Sequence, residues 1–224
     1  MNNKKTLSMV MTALFMAIVI IMAFVPNLGY INLIVIKATL IHVPVIIGSI
    51  VLGPKKGAVL GATFGVTSLI NNTFNPSLLS FAFSPFYSIG DIGGSPWSLV
   101  IALVPRILAG IVPYYVYTGI RKLLHSRKGS QAVALPIACA LGSFTNTLLV
   151  MNMIYLCFDE EFAAAKNIAA DAVYGAILGI IAVNGIPEAI VAIVLGSAVS
   201  MALLRFLPQT TRFVSHKDAA QKAI

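Results

Sequence analysis

The chain has 224 residues, of which 58% are hydrophobic and only 10% charged; a soluble domain carries about 25% charged residues, so this one cannot cover a water-facing surface and must use lipid as part of its solvent. The net charge of +8 does not point to nucleic acid, because the basic residues stand in short clusters between apolar runs and form no basic face. The cysteines, Cys139 and Cys157, would lie about 27 Å apart on one helix, beyond disulfide reach, and neither pairs with a histidine at metal-ligand spacing.

Six apolar stretches predict an all-α integral membrane bundle of six transmembrane helices, a single domain over residues 1–224, at roughly 20 residues per span. The first, residues 9–25, follows Lys4 and Lys5. It is longer than a signal-peptide core and no A-x-A-like cleavage site follows it, so it reads as a retained span. The second, about 40–52, and the third, about 57–70, are each short for a span. The turn Gly53-Pro54-Lys55-Lys56-Gly57 joins them as a hairpin. The fourth and fifth cover 97–117 and 132–158. The last, 174–207, is too long for one untilted span, and Asn184-Gly185-Ile186-Pro187 predicts a break there, with a short outer helix before it and a full span starting near Pro187.

Charge sets the orientation. Lys4, Lys5, Lys55, Lys56, Arg121, Lys122, Arg127, Lys128, Arg205, Arg212, Lys217 and Lys222 fall on one side. The other side holds Lys37 and Lys166 with Asp91, Asp159, Glu160, Glu161 and Asp171, while Arg106 lies within a span. The positive-inside rule then makes both termini cytoplasmic, with tails at about 1–8 and 208–224. The outer connection over 71–96 is long and carries Phe81, Phe83, Phe86 and Tyr87. It is either packed down on the protein or an interfacial loop with its aromatics at the headgroups.

Small residues recur every four positions at Gly57, Gly61 and Gly65 on the third stretch, a spacing that lets another helix approach closely and reads as tight internal packing. Ala134, Ala138 and Gly142 on the fifth, and Ala192, Gly196 and Ser200 on the sixth, read the same way.

The chemistry-bearing candidates are few. Arg106 lies about 13 Å down the fourth helix from Trp97; an ionisable side chain at that depth needs a partner or a polar cavity, so it either braces helices or serves function. Glu188 follows Pro187 and is a structural partner for Arg106, a ligand-binding group, or a first-turn residue suited to the helix dipole. Thr145, Asn146, Thr147 and Asn152 sit on the fifth span; Thr145 and Asn152, seven apart, share a face. Asn184 adds an amide at the expected break. Arg106, Asn152, Asn184 and Glu188, with Asn146 and Thr145, are therefore the candidate substrate-binding set. They predict an outward-opening pocket for a polar, anionic ligand, with interhelical hydrogen bonding as the alternative for each Asn taken singly. His42, at the start of the second span, reads as a packed or headgroup-level residue, with no second histidine near enough to suggest metal.

No H-E-x-x-H or G-x-S-x-G occurs. The run Gly48 to Lys55 echoes a P-loop, but Pro54 breaks the spacing it requires. The chain thus has no engine of its own. It either borrows energy from a partner or, as a self-sufficient secondary transporter, uses an ion gradient through Glu188 and Arg106. Against the second stand its short length and the lack of an internal repeat.

Four pieces carry a resemblance: A-L-F-M-A on the first span, T-L-I-H-V-P-V-I-I-G-S-I-V-L-G-P-K-K-G-A on the second and its turn, V-P-R-I-L-A-G-I on the fourth, and N-G-I-P-E-A-I-V-A on the sixth. In this order the chain resembles, over residues 7–207, the substrate-binding S components of energy-coupling factor (ECF) vitamin importers. The resemblance implies a monomeric six-helix protein; the lack of any nucleophile-base or metal constellation separately predicts that it is not an enzyme and holds no cofactor or metal of its own. It would bind a vitamin at its outer face with the later helices, under outer loops acting as lids. It also implies assembly with a transmembrane T component and two ATPase subunits that hydrolyse the ATP. In that family an A-x-x-x-A pair on the first span packs against the T component, which carries over to Ala13 and Ala17. The stretches I-H-V-P-V-I-I-G and S-L-I-N-N-T look most like the pantothenate-type members, with riboflavin, a pyrimidine precursor or another vitamin as alternatives.

Overall fold

The computed structural model describes residues 3–26, 28–33, 36–125 and 129–206. Of the basic residues that set the orientation, Arg127, Lys128, Arg212, Lys217 and Lys222 lie outside the described residues, as does the expected tail 208–224.

Helix α1, Asn3–Phe24, is followed by an antiparallel hairpin of β1, Tyr30–Leu33, and β2, Ile36–Thr39, with Tyr30 opposite Thr39. Helix α2, His42–Leu52, is buried at every residue, which is why its sequence is apolar all round rather than striped. It ends at Gly53, whose φ of 96° is a backbone conformation that L side chains rarely adopt. Pro54 then opens α3, Pro54–Phe74, at the first helical turn, where its missing N–H costs nothing. The expected hairpin of the second and third stretches is thus present, tied to α1 by a hydrogen bond from Lys56 Nζ to Ser8 Oγ.

Helix α4, Pro96–Leu123, starts with a capping box between Ser95 and Ser98 and ends with Arg121 and Lys122 against the C-terminal end of the helix dipole. Helix α5, Ser130–Cys157, follows Gly129, whose φ is also 96°. A short helix α6, Asp159–Lys166, carries Asp159, Glu160 and Glu161 in its first turn, where the dipole favours acids.

The last stretch corrects the sequence reading. Residues Ala170–Phe206 form one apolar helical rod of 37 residues: a 3-10 turn at Ala170–Ala172, α7 at Val173–Ile180, a π-turn at Ile181–Gly185, α8 at Ile186–Val191, a second π-turn at Ala192–Gly196, and α9 at Ser197–Phe206. The expected break at residues 184–187 is therefore a widened turn. Pro187 in an α-helix would clash with the carbonyl four residues back; the i-to-i+5 geometry of the preceding π-turn accommodates it without ending the helix.

Among the described residues, four helices are long and apolar enough to cross a membrane: Lys5–Phe24, Pro96–Leu123, Ser130–Cys157 and Ala170–Phe206. Helix α2 is apolar but has only 11 residues, and α3, with 21, carries Lys55, Lys56, Asn71 and Asn72.

The glycine stripe packs α3 onto α4. A Cβ at Gly57 would strike the carbonyl oxygen of Gly110, one at Gly61 the carbonyl oxygen of Arg106, and one at Gly65 would come within 2.8 Å of the carbonyl oxygen of Ala102. The stripes on α5 and the rod also face inward: Ala134, Ala138, Gly142, Ala192, Gly196 and Ser200 are buried, and a Cβ at Gly196 would lie 2.9 Å from Cys139 Sγ. Cys139 is buried and Cys157 half-buried, both as free thiols.

Candidate functional site

Arg106 projects from α4 into the bundle and is 6% exposed. One guanidinium nitrogen donates to the carbonyl of Ile101 at 2.6 Å. The guanidinium stands over two rings, Phe64 of α3 at 5.5 Å and Phe83 of the 75–95 connection at 4.9 Å. Such stacking orients the planar fork.

Glu188, on α8 just beyond the first π-turn, is 5% exposed. Its Oε1 accepts the backbone N–H of Thr39 at 2.6 Å and its Oε2 accepts the Thr147 hydroxyl at 3.1 Å. The carboxylate thus joins the end of the β-hairpin, α5 and the rod, and the Arg106 charge acts on it through the interior.

His42 completes this corner. It lies three residues after Thr39, is 0% exposed, and has the backbone of Thr39 and of Glu188 beside its ring. Neither ring nitrogen meets hydrogen-bond geometry with a partner. On α5, Asn146 next to Thr147 is buried with an unpartnered Oδ1; Asn184, one turn before Glu188 and half-buried, has an unpartnered Oδ1 as well.

Arg106, Glu188 and Asn146 are thus buried in the bundle and Asn184 half-buried, and the Arg106 and Glu188 charges lie near enough to act on each other. Thr145 and Asn152 behave differently: both are half-buried and donate back into their own helix, to the carbonyls of Leu141 at 2.6 Å and Leu148 at 2.7 Å. The inward stripe of α5 runs through Ser143, Asn146, Thr147, Val150 and Ile154. Thr147, Thr39 and His42 were missed as site residues. Thr39 acts through its backbone, and His42 carried a signal only in being a polar group at the head of an otherwise apolar helix.

The 75–95 connection is packed down rather than spread at an interface. Ser80 donates to Asn72 at 2.7 Å, Thr73 and Ser84 hydroxyls lie 2.7 Å apart, and Ser98 donates to the carbonyl of Phe81 at 2.6 Å. Phe81 is fully buried, edge-on to Phe158; Phe86 alone of its aromatics points out, at 78% exposure. On α1, Phe15, Val19 and Ala23 face the bundle while Ala13 and Ala17 are exposed on another face. Among the described residues no group of three His, Cys, Asp or Glu gathers as a metal site would require.

A stacked arginine, a buried carboxylate and two amides with unpartnered oxygens within the bundle are equipment for holding a polar molecule. Residues 7–200 match the family described as ECF transporter, substrate-specific component. The chain belongs to this family. It is accordingly the substrate-binding subunit of an ECF-type vitamin importer and a multi-pass bacterial membrane protein. This S component is 38% identical to the pantothenic acid transporter PanT of Lactococcus lactis subsp. cremoris (strain MG1363), over 92% of its own length and 97% of that protein. It is 29% identical to the pantothenate transporter PanT of Leuconostoc mesenteroides subsp. mesenteroides, over 91% and 95% of the two chains. The crystal structure of the S-component for biotin from an ECF-type ABC transporter aligns with a TM-score of 0.47 at 18% identity, covering 89% of this chain and 93% of that one.

Proposed function

We propose that this S component captures pantothenate on the outer side of the cell membrane. It does so for an importer completed by a transmembrane T component and two ATPase subunits, and the ATP is hydrolysed there. The observation that carries the choice of vitamin is the 38% identity to the Lactococcus pantothenic acid transporter along nearly the whole of both chains. The site fits the same ligand. Pantothenate has a carboxylate at one end, an amide in the middle and two hydroxyls at the other. Arg106 would take the carboxylate, Asn146 and Asn184 the amide and neighbouring groups, and Glu188, an acceptor already held in place by Thr39 and Thr147, a hydroxyl. Thr145 and Asn152 belong at most to the rim of this set. Ala13 and Ala17, exposed and small, would seat the T component.

The reading includes six spans, α2 and α3 crossing as a pair, with both termini in the cytoplasm. Depth supports an outward site. From Arg205, at the basic end, to Glu188 the rod rises about 25 Å, close to the far boundary of a hydrocarbon core about 30 Å thick.

Calorimetry on the purified chain with pantothenate, riboflavin, biotin and thiamine tests the ligand: pantothenate alone should bind with high affinity. Binding of another of these vitamins in preference would end the pantothenate reading. Labelling of single cysteines in intact cells with an impermeant thiol reagent tests the orientation. Glu160→Cys should react and Ser126→Cys should not; the reverse would invert the topology.

A further inference from the structure

We propose that His42 is a specificity-determining substrate contact: its imidazole reads a hydroxyl of the ligand beside Glu188. The inference rests on the pantothenate reading above and adds a residue from the second helix to a site otherwise built by α4, α5 and the rod.

Burial is the first ground. An imidazole brings one N–H donor and one acceptor nitrogen into the interior, and an unmet polar group in a water-free place costs on the order of 1–3 kcal/mol. His42 is 0% exposed with both nitrogens unmet. Burial of the whole of α2 around it keeps its nitrogens out of contact with bulk solvent. A leucine would fill the same space without that cost, so a histidine there is explained by a partner that arrives.

Location is the second. The protein groups nearest in the chain are already engaged. The Thr39 N–H is spent on Glu188 Oε1, and Glu188 Oε2 is met by Thr147. The backbone of Thr39 and of Glu188 flanks the ring without hydrogen-bond geometry.

The third ground is that His42 is not alone. Asn146 Oδ1 and Asn184 Oδ1 are also unpartnered, one beside Thr147 and the other one turn before Glu188. Three elements, α2, α5 and the rod, thus each leave a polar atom unmet on the segments that the Glu188 carboxylate ties together; a ligand seated at this corner would supply partners. Arg106, across the interior with its fork stacked on Phe64 and Phe83, suits the charged end of an anion. The His42 and Glu188 corner, with a donor and acceptors side by side, suits a hydroxyl, which is both donor and acceptor itself.

The experiment uses the full chain in lipid nanodiscs, with pantothenate and an analogue lacking its hydroxyls, against wild type, His42→Gln and His42→Leu. Wild type should prefer pantothenate over the analogue by about tenfold or more. His42→Leu should lose most of that preference by weakening pantothenate while leaving the analogue's affinity nearly unchanged, and His42→Gln, which keeps a donor and an acceptor, should recover part of it. The imidazole nitrogen resonances of His42 should shift when pantothenate is added to wild type. A packing role would lower both affinities together and leave the nitrogen resonances in place; either result overturns the assignment. Should His42→Leu fail to fold, the nitrogen resonances and the His42→Gln preference decide. Wild type that binds no pantothenate overturns the ligand reading itself, a result distinct from pantothenate binding that ignores His42.

Discussion

The backbone N–H of Thr39 donates to Oε1 of Glu188 at 2.6 Å across 149 residues of sequence. A carboxylate on the last rod thereby holds the end of the β-hairpin that leads into α2, and the same carboxylate's other oxygen holds α5 through Thr147. Glu188→Ala removes the acceptor from both donors at once. Buried hydrogen bonds to charged groups contribute roughly 1.5–3 kcal/mol each, so the variant should unfold at a clearly lower temperature. Its Thr39 amide should exchange with deuterium about tenfold faster or more. Glu188→Gln keeps one oxygen and should fall between. Unchanged exchange at Thr39 in Glu188→Ala would show that the hairpin is held by something else.

Arg106 should carry the largest single loss of affinity. Arg106→Ala removes a buried charged partner for the ligand carboxylate and should weaken pantothenate binding by about a hundredfold or more. Arg106→Lys keeps the charge but loses the planar fork and its stacking on Phe64 and Phe83, and should lie in between. Phe83→Leu, which removes one of the rings, should cost about fivefold, the equivalent of roughly 1 kcal/mol of cation–π contact. Calorimetry on folded variants gives all three, and equal affinity in Arg106→Ala would return the arginine to a bracing role.

Two glycine substitutions on neighbouring helices should move stability in opposite directions. Gly61→Ala drives a methyl into the backbone of Arg106 and to within 2.8 Å of Ile107 Cα, a clash that must push α3 from α4 and should cost about 1–3 kcal/mol or more. Gly119→Ala on α4 meets nothing within 4 Å and should stabilise by about 0.4–1 kcal/mol through the unfolded chain. Thermal midpoints in detergent read both; a neutral Gly61→Ala would mean that the helices separate cheaply.

Ala13 and Ala17 face away from the bundle, so bulk there should leave ligand binding intact while blocking close approach of another helix. Ala17→Trp should bind pantothenate with wild-type affinity in the isolated chain and abolish uptake in cells carrying the whole importer. Normal uptake would remove the support for that surface as the T-component seat.

Much of the scaffold was legible because lipid imposes a coarse rule on composition: α1, α4 and α5 run close to the apolar stretches that marked them, and the glycine spacing on α3 marked a tight internal contact, though not that α4 is its partner. Arg106 and Glu188 stood out because a charge inside an apolar run is rare whatever the fold. On α5 the candidate set mixes the inward Asn146 with Thr145 and Asn152, because polarity does not report direction. Thr145 and Asn152 satisfy themselves on their own helix's carbonyls, a local bond that makes a polar residue inexpensive on an outer face. Asn146 and Thr147, beside them in sequence, point inward. Thr39 contributes a backbone N–H, which no residue identity encodes. The rod was misread at Pro187 because a proline signals a break, while a π-turn that absorbs it has no sequence mark of its own.

The backbone contact between Gly57 and Gly110 has a mechanical meaning. Helices that touch through interlocked side chains can slip between rotameric arrangements, but two that touch through bare main chain have no such alternatives to exchange. The α3–α4 pair is in that sense a stator. Arg106 is mounted on it. The hairpin, α5 and the rod are tied to one another at the Glu188 corner by two hydrogen bonds, and the rod carries two π-turns that already depart from the regular helix. The main-chain seam between α3 and α4 resists the sliding of one helix past the other, so Arg106 stands on a stiff mount.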